Sequence, residues 1–391
     1  MLGGSNSETS GRPIGVRLAG WRARRGLDVA EVAVRCGLSV GQLVDLESGR
    51  DWVDRRGLLG RAADALRADP GELTGQPYSP VDDLQATVTG FAYRIRRLLG
   101  QVTADPEDTF PASVDELAIR MARASAADAD GDEVALVTAL PELITRAEAA
   151  VTDGPPGDRD RARRLRVQGL LLGAGVSRRL GHRDLAWMLV HGAERQVGAR
   201  RGIVVEQVRL LLACGRPEEA VAWAAHPIEA AGQGRVPEED DGLDDAAELA
   251  ALVAIAHAMA GRPGTAERTL AEAERRARSG IGLAAVAAAR IVTAVESGVV
   301  EEVPGLLDAV DLAALTPAAR ADLLVTAAGA AARRGEAGEA AAGLAEADRL
   351  APLRVRLDPF ARDLLAVLPA RTDDPDVART LGALADRAGL A

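Results

Sequence analysis

The stretch Val29-Ala30-Glu31-Val32-Ala33-Val34-Arg35-Cys36-Gly37-Leu38-Ser39-Val40-Gly41-Gln42-Leu43-Val44-Asp45-Leu46-Glu47-Ser48-Gly49 decides how the first part of this chain folds. Val29, Val32, Ala33 and Cys36 fall on one face of a short helix. Asp28 precedes them as an N-cap, with Glu31 three residues on as its capping-box partner. Gly37 ends that helix, because glycine takes the positive φ of a tight turn, and Leu38 plugs the turn. Ser39 caps the next helix with Gln42 three residues later, Leu43 and Leu46 turn inward, and Gly49 stops it. The spacing predicts helices over Val29–Cys36 and Val40–Glu47. Outward from this pair, residues 16–25 read as a preceding helix (Val16, Leu18, Trp21) and 56–67 as a following one (Leu58, Leu59, Ala62, Leu66).

Ala33, Gly37, Leu38-Ser39, Leu43 and Leu46-Glu47-Ser48-Gly49 together resemble the helix-turn-helix of lambda-repressor-like, XRE-family transcriptional regulators. Trp21-Arg22-Ala23-Arg24-Arg25-Gly26 and the run from Ala63 to Pro70 stand where that family places its first and last helices. The resemblance implies binding of double-stranded DNA. Ser39, Val40, Gln42 and Asp45 then lie on the recognition helix. Gln42 has the donor–acceptor pair that reads adenine, Val40 suits a thymine methyl, and Asp45 accepts from cytosine or repels phosphate. Arg50, Arg55 and Arg56 follow in a loop, as phosphate grips or as plain solvated charge. Arg22 and Glu47 resemble the family's ion pair between the first and third helices, and Trp52 reads as core cover. The chain departs from the family at Val29, often Gln there, and at the apolar opening Val40-Gly41. That leaves open a protein–protein adaptor whose head no longer binds DNA.

Composition narrows the rest. The 391 residues carry a net charge of −11, four His, two Cys and 2% aromatics. That length suggests two or three domains, and an Ala/Leu-rich chain with few aromatics favours helix. All 47 basic residues are Arg, which excludes a Walker A lysine and any Schiff-base or pyridoxal-phosphate chemistry. Cys36 and Cys214 form no CxxC, so a reducing cytoplasm is expected. The first twelve residues have no apolar core for a signal peptide. The longest apolar stretch, 246–260, contains Glu248 and His257 and is too short to span a bilayer, so no membrane partner is expected. No HExxH, GxSxG, P-loop or dinucleotide fingerprint occurs, so neither catalysis nor a cofactor is expected. Residues 11–76 are net +2 and residues 77–391 net −12, which places any nucleic-acid contact in the head.

Breakers suggest a disordered N-terminus over 1–11, a DNA-binding head over 12–76, a connecting helix and linker over 77–112, and a helical body over 113–391. Polar or acidic breaks fall at 103–111, 153–158 and 232–245. In the body, a Gly followed five residues later by a small residue recurs at Gly181/Ala186, Gly215/Ala220, Gly261/Ala266, Gly298/Val303 and Gly335/Ala340. The intervals are 34, 46, 37 and 37 residues, the longest containing the acidic break. This period resembles tetratricopeptide (TPR) repeats, as in XRE–TPR regulators of actinobacterial type. An earlier pair at 114–127 and 133–151 starts the array, and a helix over 375–388 caps it.

The TPR resemblance implies a concave face lined by the first helix of each pair. Counting back from the turn glycines puts Arg178, Arg179, Leu212, Met259, Glu296 and Arg333 there, and one turn earlier Arg209, Ile255 and Val292. Arg178, Arg179 and Arg209 are then candidates for meeting an acidic group of a peptide or small-molecule effector, over an apolar floor of Leu212, Ile255, Met259 and Val292. The alternatives are arginines that are merely solvated or paired with the chain's own many acids, a groove for a partner protein, or a body that serves only as a dimerisation frame. The stripe Leu84, Val88, Phe91, Ile95, Leu98 and Leu99 docks the head on the body or pairs with its mate in a homodimer. The expectation is an all-α chain: a lambda-repressor-like helix-turn-helix head on a TPR-like α-solenoid, acting as a cytoplasmic, dimeric transcription regulator.

Overall fold

The helix starts and stops written in the sequence are where the chain turns. The structure, a computed structural model, describes residues 11–100, 113–198, 200–225 and 244–390. Among these residues there are helices and loops and no strand. The expectations for the first ten residues, for the break at 103–111 and for most of the acidic break at 232–245 lie outside them.

The head comprises α1 (Ile14–Arg25), α2 (Val29–Cys36), α3 (Val40–Glu47), α4 (Arg56–Leu66) and the short α5 (Pro70–Thr74). Asp28 caps α2 through the amides of Ala30 and Glu31. Ser39 and Gln42 close a reciprocal capping box on α3. Gly37 has φ 69°, as the tight turn requires. Ile14, Leu18, Val32, Cys36, Leu43, Leu46, Leu66 and Leu73 fill the core. Arg22 grips Glu47 through two hydrogen bonds of 2.5 and 2.7 Å and also donates to the Leu27 carbonyl, tying α1 to the end of α3.

Residues 83–99 do not form a free connecting helix. They make α6 (Asp83–Thr89) and α7 (Phe91–Gly100), broken at Gly90. Val88, Phe91 and Ile95 are buried in one core with α8 (Val114–Asp130) and α9 (Glu133–Thr152). Val88, Phe91 and Ile95 of the apolar stripe are therefore consumed in a core shared with the body, with Leu98 half-buried and Leu84 and Leu99 left exposed, so α6 and α7 pack with the body.

Five consecutive helix pairs follow: α10 (Arg159–Arg179) with α11 (Arg183–Val197), α12 (Arg201–Ala213) with α13 (Pro217–Ala225), α14 (Asp245–Met259) with α15 (Pro263–Arg276), α16 (Gly280–Glu296) with α17 (Val303–Asp308), and α18 (Pro317–Arg333) with α19 (Ala337–Leu350). Gly181, Gly215, Gly261, Gly298 and Gly335 turn them, all at positive φ. Behind four of the five turns a small residue (Ala186, Ala220, Ala266, Ala340) is fully buried, which lets paired helices approach closely, and Val303 holds that place after Gly298. The chain ends with α20 (Pro352–Arg356), α21 (Pro359–Val367) and α22 (Pro375–Arg387).

The array curls until its end meets its beginning. α18 packs against α8, and a Cβ on Gly131, after α8, would lie 2.6 Å from the Ala351 Cβ. Arg354 of α20 donates to the Asp128 carbonyl (3.3 Å) and to Asp322 (3.1 Å), and Gln85 of α6 donates to the Arg387 carbonyl (3.2 Å). The body is thus a ring of helices around a lumen, in place of the open concave groove the repeat spacing implies.

Candidate DNA interface and internal cavity

The head closes one mouth of the ring, where α10, α12, α14, α16 and α18 all end. Helix C-termini leave carbonyls without intrahelical partners, and the head supplies donors. Arg61 donates to the carbonyl of Met259, the last residue of α14 (3.3 Å), and Gln76 to that of Arg179, the last of α10 (2.8 Å). The backbones also meet. A Cβ on Gly60 would lie 2.8 Å from the Gly215 Cα, and one on Gly57 would lie 2.9 Å from the Met259 carbonyl oxygen.

The body in turn caps head helices. Neither α1 nor α4 has a capping side chain of its own. Glu296, the last residue of α16, accepts from the amides of Arg56 (2.6 Å) and Gly57 (3.0 Å) at the start of α4. Asp363 of α21 accepts from the Ile14 amide, at the start of α1, and from Val53, both at 2.6 Å. Both carboxylates serve as N-caps from outside the helix. Burial raises the pKa of each, that of Asp363 to about 7, despite the amide hydrogen bonds. Trp52 completes the contact. It is buried in the core of α18, α19, α21 and α22, with Arg333 and Arg371 over its ring at 4.3 and 5.1 Å. Arg333 also pairs with Asp51 (2.6 Å) and Asp54 (2.7 Å).

This docking leaves the outer face of α3 in solvent. Ser39, Val40, Gly41, Gln42 and Val44 are exposed, Val40 at 48% and Val44 at 40%. Gln42, however, has its Oε1 engaged by the Ser39 amide at 2.9 Å, so base reading uses its amide nitrogen or opens the box. Asp45 pairs with Arg50 at 2.8 Å, so neither is a free charge, although both are exposed enough to exchange partners. Arg55 and Arg56 are not where a phosphate grip requires them. Arg55 sits beside Asp54 (3.5 Å), and the Arg56 guanidinium lies 4.9 Å over the Phe360 ring of α21. Both belong to the head–body seam, because the loop that carries them inserts Trp52 into the body.

The ring encloses a cavity of about 990 Å³. Of the residues the repeat spacing placed on the inner face, Arg178, Arg179, Arg209, Leu212, Ile255 and Val292 line it. Met259 does not. Its side chain is buried among α12 and α14 residues and its carbonyl faces the head. The arginines expected to grip an acidic ligand already have internal partners. Arg178 bonds Glu206 at 2.8 Å, Arg209 bonds Glu206 and Glu248, and Arg179 bonds Asp128 (2.8 Å) and Glu133 (3.1 Å). Burial pulls the Arg178 pKa down and Glu206 only partly restores it, whereas around Arg209 the carboxylates of Glu248 and Glu206 outweigh burial and raise it. Trp52, Asp54, Arg56, Leu59 and Gly60 of the head form one end of the cavity.

Sequence reasoning counted Glu296 and Arg333 onto the inner face but had no partner for them, and it missed Asp363. The available signal was an acid between Arg362 and the pair Leu364 and Leu365 in a short, mostly apolar helix, which burial makes costly without donors.

Residues 13–74 match the family model described as a helix-turn-helix domain. No curated protein matches the chain. Among solved structures, the crystal structure of ComR from S. thermophilus in complex with DNA and its signalling peptide ComS is 12% identical over 96% of this chain and 100% of that one, with a TM-score of 0.20. Among the described residues, no helix is long and apolar enough to cross a membrane.

Proposed function

We propose that the chain is a sequence-specific, DNA-binding transcriptional regulator of the XRE type. It acts as a cytoplasmic homodimer, and its TPR-like body senses a small ligand. The observation that carries the DNA reading is the disposition of the head. The body holds its α1 and α4 starts and its Trp52 loop, while the outer face of α3 stays exposed within a stretch that matches a helix-turn-helix domain. A head docked with α3 inward would favour the adaptor alternative. Two heads joined through the bodies suit two half-sites about one helical turn apart. The enclosed cavity, shared between head and body, supports the sensing role.

The test is binding to DNA from upstream of the chain's own gene, measured by fluorescence anisotropy at two salt concentrations. A specific complex that weakens with salt supports the proposal. Gln42→Ala is expected to relax preference at one or two base positions, costing about 1–3 kcal/mol. Arg50→Ala is expected to weaken all sequences alike. The reverse pattern would remove α3 as the reading helix, and salt-insensitive or absent binding would favour the adaptor.

A further inference from the structure

We infer that the lumen of the ring is a binding site for an uncharged, predominantly apolar small molecule, which rests against the head's underside. This deepens the sensing role proposed above and rests on it. Three features of the structure point to this class of ligand.

The first is shape. The last helices close on the first through Arg354, Asp128 and Gly131, and the head fills one mouth. An extended chain needs a groove open along its length. A lumen closed by the head at one mouth suits a compact molecule, and about 990 Å³ is at the upper end of small-ligand pockets.

The second is charge. Nine carboxylates and eight arginines line the cavity, so the wall is nearly neutral. Arg178, Arg179 and Arg209, which look from sequence like anion grips, are held in Arg178–Glu206–Arg209–Glu248 and Asp128–Arg179–Glu133 networks. A ligand carboxylate would have to compete with internal ones, of which Glu206 and Glu133 are buried and would lose a partner, which is unfavourable. Arg164 lies at the exposed rim, where water already solvates it.

The third is the lining between the networks. The inner face of α16 carries Ala285, Ala288 and Val292, and Ala319 and Leu323 of the neighbouring α18 and Leu171 of α10 add to the apolar lining. These side chains make no hydrogen bonds, and their small size creates the space. A ligand there gains from apolar contact alone. Because Trp52, Leu59 and Gly60 of the head share the wall, such a ligand favours the docked arrangement of head and body through its extra contacts with it.

The test uses two fluorescent probes with one ring system, on the full chain. N-phenyl-1-naphthylamine is uncharged, and 8-anilinonaphthalene-1-sulfonate adds a sulfonate. The uncharged probe is expected to bind saturably. Ala288→Trp, which fills the lumen from α16, and Ala319→Trp, which fills it from α18, are each expected to weaken it roughly tenfold or more. The sulfonate is expected to bind roughly tenfold or more weakly than its neutral counterpart and to gain affinity in Glu248→Gln, which removes one of the two carboxylates that Arg209 bonds. Sulfonate binding equal to or tighter than that of the neutral probe would overturn the inference, as would no gain in Glu248→Gln or neutral binding indifferent to both tryptophans. DNA affinity without probe is read on the same samples. Its loss would refute the regulator reading, whereas failure of the probes alone refutes only the ligand class.

Discussion

Asp363→Asn is the most informative single change in the seam between head and body. The wild-type side chain is 3% exposed and accepts from two amides, of Ile14 and Val53, at 2.6 Å each. At pH 5 the buried side chain is a neutral acid whose hydroxyl oxygen still accepts weakly from the second amide; asparagine has the same shape but puts an NH2 there, which cannot accept, so one buried amide loses its partner, at a cost of about 1–3 kcal/mol. The pH dependence runs the other way from that of an ordinary acidic cap. Burial raises the folded pKa from 3.8 to about 7. The folded state therefore holds a proton that the unfolded state has lost, and stability from this group falls as pH rises through that window. At roughly 1.4 kcal/mol per pKa unit, the wild-type contribution drops by about 2–3 kcal/mol between pH 5 and pH 8. The Asn chain has nothing to ionise there. The substitution is thus expected to destabilise at pH 5 and to be neutral or mildly stabilising at pH 8. Urea unfolding followed by tryptophan fluorescence reads this, since Trp52 is buried in the same seam. A penalty that is equal at both pH values, or larger at pH 8, would refute the reasoning and show that amide donation outweighs burial.

Gly60→Val puts a branched side chain where a Cβ already lies 2.8 Å from the Gly215 Cα. Overpacking of this kind costs about 1–3 kcal/mol, so thermal melting should show an earlier transition and the Trp52 emission should shift red; an unchanged melt would contradict the close approach. Arg22→Met leaves Glu47, 10% exposed at its side chain, without its bidentate partner. A loss of about 2 kcal/mol in urea unfolding is expected, partly recovered by adding Glu47→Gln; no recovery would show that packing, not charge, is what Arg22 supplies.

The head was legible because its signals are local. Ser39, Gln42 and Gly37 act on the backbone within three or four residues of themselves, so their spacing alone places α2 and α3. The turn glycines of the body were legible for the same reason. What the sequence did not show is long-range. For Arg178, Arg179 and Arg209 the sequence leaves ligand contact and internal pairing both open, because the partners Glu206, Glu248, Asp128 and Glu133 come from other helices or other turns. Arg55 and Arg56 read as phosphate grips because nothing near them in sequence reveals Glu296 or Phe360, more than 200 residues away. The closure of the ring depends on contacts such as Arg354 with Asp128, which no repeat period encodes. The stripe at 83–99 was apolar as read, but periodicity does not say whether a body or a second copy covers it; here α9 does.

Selection of bound sequences from random duplex DNA by the full chain tests the central claim most directly. The account predicts enrichment of one motif with two related half-sites about one helical turn apart, and loss of preference at defined positions when Gln42→Ala replaces the wild-type chain. Enrichment of no motif, or of a motif indifferent to every substitution on the exposed face of α3, would contradict it.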